Sequence, residues 1–284
     1  MKLLVFGQTG QVAQELARRL PVDVTARFLS RAEAELMSPG ACRAAVLAAD
    51  CDAVVNAAAW TAVDRAEAEE AAATVVNGAS VGAMARACAE RSLPFLQVST
   101  DYVFDGSGVS PFAPGDPVGP LGAYGRSKLL GERLTAEAGG HWLVLRTSWV
   151  VSAFGTNFVK TMLRLGRERE VLRVVCDQVG GPTPAAAIAD ALVVAARAMV
   201  AGAPGGVHHF AGAPDASWAD LARAVMAGAR LAARIEEIPT EAYPTPARRP
   251  RNSRMDCSDF EREFGVPRPD WRAGLDEILK ELQA

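Results

Sequence analysis

Five short apolar runs, Leu3–Phe6, Ala53–Val55, Phe95–Val98, Leu143–Leu145 and Leu172–Val175, punctuate the chain, and longer Ala-, Leu-, Arg- and Glu-rich stretches separate them. Three of the runs are continuously hydrophobic and two carry a single polar residue, Gln97 or Arg173, close to what strands covered on both faces show. Such strands, joined by helical crossovers, build a parallel sheet. The pattern therefore predicts an α/β fold with a doubly wound parallel sheet and helices over Gln11–Leu20, Ala66–Glu90, Tyr124–Ala138 and Pro184–Val200.

At 284 residues the chain has the length of roughly two average domains. From about Gly212 the strand–helix alternation weakens; a helix opens near Ser217, with Asp220 completing a capping-box pattern, and the loop Pro244–Arg254 follows. We expect a core over 1–150 with further core elements at about 172–212, and a smaller, C-terminal lobe drawn from 151–171 and 213–284. Residues 104–122, rich in Gly and Pro, form a connection long enough to be functional or mobile.

Half the residues are hydrophobic and 22% are charged, which argues for a folded core and against disorder. Five cysteines without CxxC spacing point to ordinary thiols in a reducing, cytoplasmic setting. The opening run Lys2–Phe6 is too short for a signal sequence, and Asp190 and Arg197 interrupt the apolar stretch 185–203, so no membrane association is expected. A net charge of −3 provides no field for a nucleic-acid polymer. His141, His208 and His209 lack metal-ligand spacing.

Gly7-Gln8-Thr9-Gly10-Gln11-Val12-Ala13 sits between the first strand and the first helix, where a dinucleotide-binding turn belongs. Gly7 permits the tight turn, Gly10 lets backbone approach a pyrophosphate, and Ala13 is small enough for close helix packing. The helix N-terminus then presents N–H groups to the phosphates. This makes 1–150 a Rossmann-type, dinucleotide-binding core and leaves the smaller lobe for substrate. At Leu29-Ser30-Arg31, after the second strand, Arg31 is the cation and no acid is present, which points toward NADPH; Glu33 and Glu35 close behind keep NADH open. Arg31 also reads as a solvated helix-start residue.

Tyr124 and Lys128 stand four apart where the Gly/Pro-rich connection enters a helix, hence on one face. Ser99-Thr100 ends a strand, at the sheet edge where open α/β folds bind ligands. Reduction of a ketone builds negative charge on oxygen that must be stabilised and protonated, and a tyrosine suits that task if its pKa falls. An ammonium roughly 4 Å away at an effective dielectric near 20 is worth about 4 kcal/mol, enough to lower a phenol pKa of about 10 by up to three.

Together, the turn, Thr100 and the Tyr124/Lys128 pair resemble the extended short-chain dehydrogenase/reductases. Four segments, Asn56–Glu67, Val98–Gly106, Leu145–Val150 and Tyr243–Pro250, narrow the resemblance to the dTDP-4-dehydrorhamnose reductase family and span most of the chain. The resemblance implies reduction of the C4 ketone of dTDP-4-dehydro-L-rhamnose by NADPH or NADH, giving dTDP-L-rhamnose for polysaccharide synthesis. Thr100, Tyr124 and Lys128 are then catalytic: Thr100 and Tyr124 hold the ketone oxygen, Tyr124 donates the proton, and Lys128 binds the nicotinamide ribose. Gly7, Gln8, Thr9, Gly10, Gln11, Val12, Ser30, Arg31, Ala57, Ala58 and Ala59 join Tyr124 and Lys128 around the cofactor. Asp101, Tyr102 and Trp149 fall at the sugar with Thr100, and Asn157 and Arg249 toward the nucleotide.

Three departures from that pattern stand out: Ala13 where a third glycine is frequent, Leu36-Met37 where an acid is common, and Val151 where a tyrosine is usual. Relatives that bind magnesium do so at a dimer interface through acids this chain does not visibly match, and a homodimer stays open. Two alternatives remain: a reductase of another 4-keto-deoxysugar nucleotide, and a non-catalytic subunit like the regulatory subunit of methionine adenosyltransferase. The four arginines at 248, 249, 251 and 254 suit a diphosphate through forked guanidinium contacts, or a solvated cationic loop.

Overall fold

In the computed structural model, which describes residues 1–283, the predicted sheet has six strands. Five are β1 (Lys2–Phe6), β2 (Thr25–Leu29), β3 (Ala53–Asn56), β4 (Phe95–Thr100) and β5 (Trp142–Thr147); Gly206–His209 is the sixth. The order is Gly206–His209, β5, β4, β3, β1, β2, and every pair is parallel. The chain runs outward from β1 to β2 and then crosses to β3 on the other side of β1. That reversal opens a crevice at the carboxyl ends of β1 and β3.

The helices are α1 (Gln11–Arg19), α2 (Pro39–Ala48), α3 (Val63–Ala68), α4 (Glu70–Thr74), α5 (Ser80–Glu90), α6 (Ala123–Glu137), α7 (Phe158–Glu168), α8 (Ala185–Val200), α9 (Trp218–Gly228), α10 (Ser258–Phe264) and α11 (Trp271–Gln283). Along β1 the two-residue period splits the core: Leu3 and Val5 pack with α1 and α8, whereas Leu4 and Phe6 pack with α2 and α5. Both faces are covered, as the largely apolar runs require. The alanines of α8 at 185, 189, 191, 195 and 196 are fully buried; their small side chains bring that helix close to the sheet and α1.

Two expectations need correction. Residues 66–90 do not form one helix but α3, α4, a π-helical turn at Val75–Ala79 and then α5. The apolar run near 172 does not return to the central sheet: Val171–Val175 pairs in parallel with Arg234–Ile238 as a separate two-stranded sheet. Leu172 and Val174 point into a second core, while Val171 and Arg173 face outward. Half-covered strands of this kind are hard to separate from fully covered ones when the outward residue is valine. Return to the central sheet comes with α8 and Gly206–His209.

The second core is built from α7, α9, α11 and the strand Val171–Val175 around Val159, Leu163, Leu221, Val225, Trp271 and Leu275. Ser217 caps α9 reciprocally with Asp220, as its spacing predicts: Ser217 Oγ accepts from the Asp220 N–H, and the Asp220 carboxylate accepts from the Ser217 N–H. Among the described residues no helix is long and apolar enough to cross a membrane, and no group of three or more His, Cys, Asp or Glu is placed to hold a metal ion.

Candidate active site

The glycine turn lies at the crevice. Gly7 has φ +108°, a backbone conformation that suits glycine, and a Cβ there would meet Ala58 Cβ at 3.3 Å. The turn is thereby pressed against Ala57–Ala59, the segment leaving β3. That segment is held by Asn56, whose Oδ1 accepts from the Ala58 N–H at 3.2 Å and whose Nδ2 donates to Gln97 Oε1 at 2.8 Å. Gln8, Thr9 and Gly10 are exposed, and no side chain caps the N-terminus of α1. Ala13 is completely buried and Val12 nearly so. A left-handed glycine, an open helix N-terminus and a cradle of small residues together fit the diphosphate of a dinucleotide.

At the end of β2, Arg31 extends into solvent and reaches Glu35 at 3.6 Å. Ser30 is engaged locally: its N–H and hydroxyl donate to Glu33 Oε2 at 2.9 and 2.8 Å.

Thr100 ends β4, and its Oγ1 accepts from the Tyr102 N–H at 3.2 Å while donating to Asp101 Oδ1 at 3.0 Å. Tyr124, in the first turn of α6, lies close enough to the Thr100 hydroxyl for that group to act on its phenol. Tyr102 meets the Tyr124 ring edge-on at 5.5 Å. Lys128 is 3% exposed and donates from Nζ to the Val98 carbonyl at 2.6 Å. The three candidate catalytic residues thus converge on the carboxyl end of one strand.

Their electrostatics differ from the sequence-based expectation. Burial pushes the Tyr124 phenol above its usual range; the Thr100 hydroxyl pulls it down in part, and the neighbouring Asp101 carboxylate adds to the rise. Lys128 is not among the groups acting on it. Burial brings the lysine itself down to about 8, with Glu132 working the other way. Both partners lose their hydration together, and the ammonium is turned to a backbone carbonyl. Burial also pushes Asp101 up to about 6 against the hydroxyls of Ser253 and Thr100.

Glycines hold α6 on this site. A Cβ at Gly125 would lie 2.2 Å from the Tyr102 carbonyl oxygen, and one at Gly131 would lie 2.1 Å from the Asn77 carbonyl oxygen. The helix therefore approaches backbone to backbone on both sides of Lys128. Its N-terminus is held from α3: Glu67 Oε1 accepts from the Ala123 N–H at 2.8 Å. Asn77, in the π-helical turn, accepts from the Trp60 N–H at 2.8 Å and donates to the Trp60 carbonyl at 3.0 Å and to Ser127 Oγ at 2.9 Å. It ties the segment after β3 to α6. Sequence reasoning missed Asn77 and Glu67; a buried-type Asn-Gly pair inside an Ala-rich helical stretch was the available signal for Asn77.

The remaining candidates distribute around this centre. Arg249 donates to Asp64 Oδ2 at 2.8 Å and to Thr245 Oγ1, and its charge acts on Tyr102. Beside it opens a cleft of about 440 Å³ lined by Asp105, Tyr243, Thr245, Arg248, Arg249 and Arg251. Trp149 has φ +48° and stacks on Trp218 with centroids 3.5 Å apart. Asn157 caps α7 and donates to Gln11 Oε1 at 2.8 Å, which places it at the glycine turn. Val151 is buried in the second core.

A family model described as RmlD substrate binding domain matches residues 1–284. The chain is 48% identical to a dTDP-4-dehydrorhamnose reductase of Burkholderia thailandensis, with 99% of each chain covered. The crystal structure of a dTDP-4-dehydrorhamnose reductase from Clostridium acetobutylicum superposes with a TM-score of 0.94 at 30% identity, covering 100% of both chains. That of a Bacillus anthracis dTDP-4-dehydrorhamnose reductase in complex with NADP gives a TM-score of 0.90 at 28% identity and 99% coverage of each.

Proposed function

The chain belongs to the dTDP-4-dehydrorhamnose reductase family, and from that membership we infer that it reduces the C4 ketone of dTDP-4-dehydro-L-rhamnose to dTDP-L-rhamnose with NADPH or NADH. The observation that carries the reading is the convergence of Thr100, Tyr124 and Lys128 on the end of β4, beside the glycine turn. Gly7, Gly10 and the N-terminus of α1 would hold the cofactor diphosphate, with Ala57–Ala59 packed against the turn, and Arg31 would meet a 2′-phosphate. When bound, the reduced nicotinamide supplies the two electrons and the hydrogen delivered to C4.

The protein's own residues handle the oxygen. Thr100 and Tyr124 bind it, and Tyr124, kept protonated by burial, donates its proton as negative charge builds there. Lys128, buried on the same helix face one turn along with its ammonium at the Val98 carbonyl, is the residue that would hold the nicotinamide ribose. Arg248, Arg249 and Arg251 suit the nucleotide diphosphate in the adjoining cleft, with Tyr102 between cleft and centre. The five free thiols fit the reducing cytoplasm.

Tyr124→Phe is the test. It should lower kcat with NADPH and the keto sugar by about a thousandfold, in line with the loss of a general acid, while cofactor binding stays intact by fluorescence titration. Retention of most of the turnover would remove Tyr124 as proton donor. Product identification with a panel of 4-keto sugar nucleotides fixes the substrate, and absence of turnover on all of them would overturn the reductase reading.

A further inference from the structure

Residues 124, 128 and 132 of α6 form one stripe, and each meets β4 or its end: Tyr124 at Thr100, Lys128 at the Val98 carbonyl, and Glu132 at Ser99, whose Oγ donates to Glu132 Oε1 at 2.5 Å. Three positions spaced one turn apart thus grip three consecutive strand residues. Glu132 is 5% exposed, and Arg146 of β5, 4% exposed, holds it with a fork: Nη2 donates to Oε2 at 2.7 Å and Nε to Oε1 at 3.0 Å. Arg146 also donates to the Pro114 carbonyl at 3.2 Å and lies over the Phe104 ring at 5.0 Å, so the long connection after β4 rests on the same ion pair.

Resting on the reductase reading, we propose that Glu132 is a positioning residue that acts through Lys128: anchored by Ser99 and Arg146, it fixes the register of α6 on β4 and supplies the counter-charge to the buried ammonium. The titratable groups around this corner are Tyr124 and Glu132 on α6, Asp101 beyond β4, Arg146 on β5, and His209, which lies 3.4 Å from Arg146 and is held neutral by burial. Of these, Glu132 is the one that acts on Lys128, favouring its charged form. An isolated buried lysine would lose its proton; a carboxylate one turn along the helix keeps it. Arg146 in turn keeps the carboxylate from standing alone in the core.

Glu132→Gln alone strands the Arg146 charge, so the double variant Glu132→Gln/Arg146→Met, which removes both charges at similar volume, is the informative one. The chain has four lysines, at 2, 128, 160 and 280, so each ε-carbon can be followed by NMR in 13C-lysine-labelled protein. The Lys128 midpoint should fall by about one pH unit in the double variant. With NADPH and keto sugar, kcat should fall about tenfold with KM within about twofold, and its alkaline limb should move to lower pH. A folded double variant whose Lys128 titrates with the wild type, or whose kcat and alkaline limb are unchanged, overturns the proposal. The lysine titration needs no sugar, so a wild-type chain without turnover would count against the reductase reading alone.

Discussion

Gly131→Ala probes the backbone contact that sets the position of α6. The added methyl would start 2.1 Å from the Asn77 carbonyl oxygen, about 1 Å inside a normal carbon–oxygen contact, and that oxygen belongs to backbone that cannot swing away. Relief requires α6 and the π-helical turn to separate by about 1 Å. Lys128, less than one turn earlier, makes its 2.6 Å bond to the Val98 carbonyl across the other side of the same helix. Drawn back by that amount, the bond passes beyond roughly 3.2 Å and is lost. Overpacking costs about 1–3 kcal/mol, and the better helix propensity of alanine returns about 1, so the net destabilisation is about 0–2 kcal/mol. The effect on turnover is larger, because a misplacement near 1 Å costs about a hundredfold. Urea unfolding and steady-state NADPH oxidation measure the two. The control is Gly40→Ala in α2, where a Cβ meets nothing within 4 Å and no loss of stability or activity is expected. Wild-type kcat in Gly131→Ala would refute the reasoning.

The folded state depresses the pKa of Lys128 from the unfolded value near 10.4 to about 8, so below pH 8 the charged lysine opposes folding, and that penalty fades as pH rises toward 10.4. Lys128→Met is therefore expected to stabilise the protein by about 2 kcal/mol at pH 7, after allowing for the lost hydrogen bond, with the gain shrinking by pH 10 and activity collapsing; denaturant midpoints across pH check it. Arg31→Ala should raise KM for NADPH about fivefold or more and leave KM for NADH unchanged. Ser217→Ala should cost about 1 kcal/mol in chemical unfolding, read from the denaturant midpoint, through loss of the α9 cap.

The central sheet was legible because its strands announce themselves: residues covered on both faces leave few polar positions to blur the pattern, and Leu3–Phe6 or Leu143–Leu145 have no other reading. Gly7 and Tyr124/Lys128 were legible because turn geometry and helical period are local properties. Long-range contacts were not. Spacing shows that Tyr124 and Lys128 share a face, but not that the ammonium turns to Val98, and so not that burial outweighs attraction between the two. Asn77 looked like an ordinary helix position because alanine neighbours conceal a π-helical turn, and nothing local singled out Glu132, because its partner Arg146 lies on β5. The strand Val171–Val175 went to the wrong sheet because pairing is decided by the distant segment Arg234–Ile238, whose own sequence is mostly charged.

Parallel strands all point their carboxyl ends the same way, so every group with chemistry to perform gathers along one rim, and the opposite rim is left with only connections such as Met1, whose amino group bonds the Asp23 carbonyl. β1 alone separates the two rims by about 17 Å. A surface linker or purification handle fused ahead of Met1 would therefore sit about that far from the working rim.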